Sequence, residues 1–123
     1  MSAKGSFEVK LTPQEDANSP AGRMVIDKVY QGDMNGSGIG QMISKRTENG
    51  VAVYFAVEEF SGSIEGRSGA FTLIHKGYMS KESQSLELVI LEGSGTGEFE
   101  TISGSMDIAQ GTDGHTYELT YGL

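Results

Sequence analysis

The sequence predicts an all-β fold: a single domain over residues 1–123, built as a closed or nearly closed antiparallel barrel of about eight strands. Three observations carry that expectation. Apolar and polar residues alternate with period two along most of the chain. Glycine occupies 18 of 123 positions, about twice its usual share, and is interleaved with Val, Ile, Phe and Tyr as turns and bulges require. No ten-residue segment reads as a helix.

Each element follows from that pattern. Phe7, Val9 and Leu11 alternate with Glu8 and Lys10 in a first strand. Residues 12–22 carry both prolines with Gln14, Glu15, Asp16 and Asn18, and read as one long polar loop. Met24, Ile26 and Tyr30 alternate with Val25 and Val29 in a second strand ending near Gly32-Asp33. Asn35-Gly36 is a favoured hairpin dipeptide because both residues tolerate positive φ. A third strand runs over 38–46, and Glu48-Asn49-Gly50 closes it. Residues 50–64 form the longest apolar-rich strand, with Val51, Val53, Phe55 and Val57 on one face and Tyr54, Ala56, Glu58 and Phe60 on the other. A turn over 65–69 leads into a strand over 70–79, followed by a polar turn over 81–85. Residues 86–91 read as a strand too apolar to be merely half buried, and 93–97 as flexible punctuation before Phe99. Residues 102–110 and 115–121 form a last hairpin across Gly111-Thr-Asp-Gly114. Closing eight such strands removes exposed edges. The interior is then filled by side chains or holds one small ligand.

Composition narrows the function classes. Nine Lys and Arg against seventeen Asp and Glu give a net charge of −8 and a pI near 4.6. That balance argues against nucleic acid, whose phosphates call for clustered cations, and against a polybasic membrane anchor. No apolar run reaches a membrane span, and residues 1–7 lack the apolar stretch of a secretory signal, so a soluble, cytoplasmic protein is expected. The absence of cysteine excludes disulfides and thiolate chemistry. Two histidines and no Asp-x-Asp-x-Asp loop leave no metal site to assign, and no nucleotide or other cofactor signature is present.

The hairpin after residue 64 holds the first candidate site. A two-residue turn at Glu65-Gly66 pairs Glu58 with Leu73 and Ala56 with His75; a four-residue turn pairs Glu58 directly with His75. Both put Tyr54, Glu58 and Phe60 on one face with Phe71, Leu73 and His75. A carboxylate and an imidazole therefore share an otherwise apolar face. They form either a satisfied polar pair beside the core, as most such pairs are, or a catalytic or substrate-orienting pair in a barrel mouth. The last hairpin puts His115, Tyr117, Leu119 and Tyr121 on one face, as core and rim residues or as ligand contacts.

Several blocks resemble a known family. Gly5-Ser-Phe-Glu-Val-Lys10, Gly36-Ser-Gly-Ile-Gly-Gln-Met42, Gly66-Arg-Ser-Gly-Ala-Phe-Thr-Leu-Ile-His75, Gly95-Thr-Gly-Glu-Phe99 and Asp113-Gly-His-Thr-Tyr-Glu-Leu-Thr-Tyr121 are similar to the small bacterial domain of unknown function family 3224. The resemblance covers the chain from about residue 5 onward. It implies a barrel like that of allene oxide cyclase, a fold that accommodates apolar ligands and homo-oligomers, and it makes Tyr54, Glu58, Arg67, His75, His115, Tyr117 and Tyr121 family-typical positions. It does not fix a reaction.

Three functions fit. The first is a binder of a small, mostly apolar molecule, with Tyr54, Phe60, Arg67, Phe71, Leu73, Tyr117 and Tyr121 as ligand contacts. The second is a cofactor-independent isomerase or cyclase in which Glu58 and His75 handle protons. The third is a filled barrel acting through its surface as a structural homo-oligomer. A dimer is the favoured assembly, because two-fold assemblies are commonest.

Overall fold

Nine strands make up a computed structural model that describes residues 1–15, 18–112 and 114–123. They are β1 (Ser2–Gln14), β2 (Gly22–Gly32), β3 (Met34–Arg46), β4 (Ala52–Ile64), β5 (Arg67–Met79), β6 (Gln84–Ile90), β7 (Thr96–Gly97), β8 (Ser103–Gly111) and β9 (Gly114–Gly122). The antiparallel order β4-β3-β2-β1-β9-β8-β6-β5, with β4 also paired to β5, closes an eight-stranded barrel. β7 is an extra two-residue strand on β5. No helix is present among the described residues, and none could therefore cross a membrane.

Alternation decides which side chains enter the lumen. Phe7, Ile26, Lys28, Tyr30, Ala56, Glu58, Phe60, Phe71, Leu73 and His75 point inward and are buried, and their neighbours in sequence point outward. The two ends of the lumen differ. One is packed solid by Met34, Ile64, Phe71, Phe99, Ile102 and Tyr121. At the other, Leu11 and Leu86 have inward parity in their strands, yet remain 48% and 40% exposed.

The Glu65-Gly66 turn is the two-residue form, with φ of +50° and +88°, as hairpins with the favoured twist require. It pairs Glu58 with Leu73 and Ala56 with His75. Elsewhere the strands depart from the sequence pattern. The β2–β3 turn sits at Gly32-Asp33 rather than Asn35-Gly36, because Asp33 is tied to β1: its carboxylate accepts from the Lys4 N–H and its own N–H donates to the Lys4 carbonyl. Asn35 instead donates its side-chain amide to the Gly32 carbonyl. β1 runs on to Gln14 and β2 starts at Gly22, shortening the polar loop from both sides. Asp16 in that loop and Asp113 in the last turn lie outside the described residues. β6 is half exposed rather than buried on both faces, since Val89 points outward at 37% exposure while Leu88 is buried. Residues 93–97 are ordered by β7 and by the hydrogen bond from the Phe99 N–H to the Thr96 carbonyl, which set the Phe99 ring into the closed end.

Tyr117 fastens the β2–β3 corner. Its hydroxyl donates to the Gln31 carbonyl at 2.9 Å and accepts from the Met34 N–H at 2.8 Å. Tyr117→Phe is expected to leave a buried N–H without its partner and to cost about 1–3 kcal/mol, measured as a lower urea midpoint with an unchanged far-UV spectrum.

Candidate functional site

Glu58 is the centre of the site. It is fully buried on β4, a position a carboxylate tolerates only with partners for both oxygens. Three donors supply them. Lys28 Nζ lies 3.0 Å from Oε1, His75 Nε2 lies 2.7 Å from Oε1, and the Tyr30 hydroxyl lies 2.5 Å from Oε2. Lys28 and His75 are themselves 5% and 4% exposed. The remaining contacts of the ammonium are the Tyr30 oxygen at 3.4 Å and the face of Phe7, 4.7 Å from the ring centroid.

The sequence makes room for this cluster with two glycines. Lys28 pairs with Gly38 and Ile26 with Gly40, while across β3 these face Phe60 and Glu58. A Cβ on Gly38 would overlap the Glu58 carboxylate and crowd the Tyr30 ring, and one on Gly40 would stand 2.6 Å from the Val57 carbonyl. Gly38 and Gly40 of the Gly-Ser-Gly-Ile-Gly run thus make room for the polar cluster rather than forming a turn.

Burial alone would raise the Glu58 pKa. The hydrogen bond from His75, the charge of Lys28 and the hydrogen bond from Tyr30 outweigh it, and the net shift is downward from 4.5. The carboxylate is therefore ionised at neutral pH, and its charge cancels that of Lys28. Burial and the adjacent carboxylate together push the Tyr30 hydroxyl far above its ordinary value, so Tyr30 is a fixed donor. Against an ionised acceptor, a neutral His75 carries its proton on Nε2. Nδ1 has no hydrogen-bond partner among the described residues and is not fully enclosed, so its lone pair is uncommitted.

The other expected site residues fall into two groups. Tyr54 lines the open end, half-buried, with its hydroxyl pKa raised by burial. Phe60, Phe71 and Leu73 lie in the closed half, Phe60 and Phe71 ring to ring at 5.2 Å. Tyr117 and Tyr121 are committed to backbone and to Glu65, and Arg67 is exposed at the start of β5. His115 is half-buried and stacks on Phe7 at 5.0 Å. Lys28 and Tyr30 are the residues that reading the sequence missed. Their signal was a lysine holding an inward position between Ile26 and Tyr30, opposite the glycine run.

Two concavities lie near the site. One of about 420 Å³ opens at the mouth beside Tyr54, Tyr78, Met79, Leu86 and Ile108. A larger one of about 530 Å³ includes His75 in its lining but belongs to the outside of the barrel. Its walls include the outward-facing Ile43, Phe55, Val57 and Ile74, with the inward-facing Ala56 and His75 between them. Among the described residues, no group of three His, Asp or Glu is placed to hold a metal.

The family model described as protein of unknown function (DUF3224) matches residues 3–121. The chain belongs to that family. A crystal structure of a DUF3224 protein with unknown function from Shewanella oneidensis MR-1 has a TM-score of 0.93 and 33% identity, over 100% of this chain and 96% of that one. No curated protein matches. The motif blocks that pointed to the family were read correctly, and the barrel they implied is present.

Two substitutions test the cluster. Glu58→Gln is expected to strand the buried Lys28 charge and to cost about 3–5 kcal/mol in urea unfolding at pH 7. Because folding lowers the Glu58 pKa, its contribution is complete above about 4.5 and is lost as the pH falls through the folded value. Wild type should therefore lose stability over that acid range more steeply than Glu58→Gln. Gly38→Ala is expected to destabilise by about 1–3 kcal/mol through overpacking, whereas an alanine at Gly22 meets only ordinary contacts at 3.7 and 3.8 Å.

Proposed function

We propose that this DUF3224 protein binds a small, mostly apolar molecule in the open mouth of the barrel, with His75 meeting its polar group. The observation that carries the reading is the asymmetry of the lumen. Side chains fill one end, while at the other the inward leucines Leu11 and Leu86 stay uncovered, and Tyr54, Met79 and Ile108 line the mouth with Leu86. The adjoining space of about 420 Å³ is in the range that small ligands occupy. Below it, the Lys28–Glu58 pair is electrically neutral and satisfied, so an apolar molecule meets no uncompensated charge. His75 Nδ1 is the polar group left over, and a neutral imidazole there accepts a hydrogen bond from a ligand hydroxyl.

A second reading has its own observation. An imidazole oriented through one nitrogen by an ionised carboxylate is a general-base arrangement. In a cofactor-independent isomerase or cyclase, His75 would exchange the proton at Nδ1. Glu58, with all its donors in place, would act as a positioning residue.

The test uses anilinonaphthalene sulfonate, an aromatic dye with one anionic group, followed by fluorescence. Wild type is expected to bind it. Leu86→Glu, a charge in the mouth, should weaken binding at least tenfold, roughly the effect of about 1.4 kcal/mol, and Val57→Asp on the outer wall should leave it unchanged. No dye binding, or binding lost only with Val57→Asp, contradicts the reading. For the enzyme alternative, mass spectrometry of protein incubated with its own cell extract should show a bound molecule that His75→Ala holds but no longer converts.

A further inference from the structure

The outer wall of the barrel has two unlike halves. Outward positions on β1, β8 and β9 are polar and exposed: Lys4, Glu8, Lys10, Asp107, Thr116 and Thr120. On β3 to β6 the same parity carries Ile39, Ile43, Phe55, Val57, Ile74 and Val89, between 37% and 59% exposed. These are neighbours in register. Ile43 pairs with Phe55, Gln41 with Val57, Val57 with Ile74, and Ile74 with Val89. A contiguous apolar patch on a folded domain marks a contact surface. A barrel that spans a lipid bilayer needs its apolar band on every side, and here three of the eight barrel strands carry these polar outer positions.

The charges around the patch indicate its occupant. Three rows cross the strands at right angles to them. The middle row is Gln41, Val57, Ile74 and Val89. The row on one side contains Arg23, Ile43, Phe55, Lys76 and Glu87; the row on the other contains Asp27, Ile39 and Glu59. Arg23 and Lys76 against the single Glu87 thus leave one flank net positive, and Asp27 and Glu59 make the other negative. Neither Lys76 nor Glu59 has an ion-pair partner among the described residues. A two-fold axis along the middle row lays each flank of one copy over the opposite flank of the other. Val57 and Ile74 then meet their own counterparts, Ile43 meets Ile39, Phe55 lies over Glu59, and Lys76 comes over Thr72 beside that Glu59, twice by symmetry. An axis along the strands would instead place Glu59 on Glu59. The wall is also locally concave, as the outer groove of about 530 Å³ between Phe55 and Val57 attests, so it can receive a second surface more fully than a convex barrel would.

We propose that β3, β4 and β5 form an isologous homodimer face, with a second copy of this chain as its occupant and the two-fold axis crossing the strands through Val57 and Ile74. The apolar row supplies the attraction, and the Lys76–Glu59 pairs between copies fix the register. The proposal is independent of a ligand in the mouth, which opens at the end of the barrel rather than on this wall.

Sedimentation equilibrium between about 1 and 100 μM tests it. Wild type is expected to dimerise in that range. Val57→Asp puts two carboxylates on the axis and should raise the dimer dissociation constant by about 100-fold or more, while circular dichroism and the melting temperature of the monomer are retained because the position is solvent-exposed. Lys76→Glu should weaken the dimer about tenfold, and Lys76→Glu combined with Glu59→Lys should restore it, since the swapped charges pair again across the same axis. A wild type that stays monomeric overturns the proposal, as does a dimer indifferent to Val57→Asp, a trimer, or a charge swap that does not restore. Monomeric protein that sediments with phosphatidylcholine–phosphatidylglycerol vesicles overturns it in favour of a lipid surface.

Discussion

A carboxylate cut off from water is the constraint on which the interior of this barrel depends. Glu58 keeps its charge because an ammonium, an imidazole and a phenol converge on it within hydrogen-bond reach. The partners come from two different strands on either side of it. Lys28 and Tyr30 lie on β2 and His75 on β5, so the network ties together β2, β4 and β5 through the lumen, independently of the backbone ladder. The intervening strand β3 contributes space instead of side chains, through Gly38 and Gly40. Losing one partner of such a cluster exposes the desolvation cost of the rest, which is why buried ionic groups are sensitive to truncation even where their net contribution to stability is small.

That polar layer also divides the lumen. Toward the closed end the filling is aromatic, with Tyr30, Phe60, Phe71 and Phe99 in successive ring contacts of 5.4, 5.2 and 5.6 Å. Toward the mouth the side chains are aliphatic and partly uncovered. The rigid, packed half is suited to holding the cluster in place. The looser half is where a ligand could enter without displacing it. One ring nitrogen of His75 is fixed by Glu58 and the other is left without a hydrogen-bond partner among the described residues. A chain of contacts continues from the cluster to the rim, from Lys28 to Phe7 and from Phe7 to His115.

Much of this was legible from residue alternation. The side-chain period of a strand is two, so the shared face of Tyr54, Glu58, Phe60, Phe71, Leu73 and His75 held for either even-numbered turn, and the structure selects the shorter. The barrel followed from counting alternating segments joined by turn residues. Turn placement was less legible. Asn35-Gly36 has the local chemistry of a hairpin, but the long-range bonds between Asp33 and Lys4 moved the turn to Gly32-Asp33. Lys28 was overlooked because a lysine in a strand is ordinarily taken as solvent-facing, and its burial is explained only by Glu58, thirty positions away in sequence. Val89 shows the opposite case: apolar character on both faces of β6 reflects an exposed apolar wall, not double burial.

The account stands on Glu58 being ionised inside the lumen. NMR of its side-chain carboxyl carbon across an acid titration measures this directly, with Glu58→Gln to assign the signal. A transition below the ordinary glutamate value of 4.5 is the predicted result. A transition at or above 4.5 would mean that burial, not the surrounding donors, controls the group, and would contradict the network described for Lys28, Tyr30 and His75.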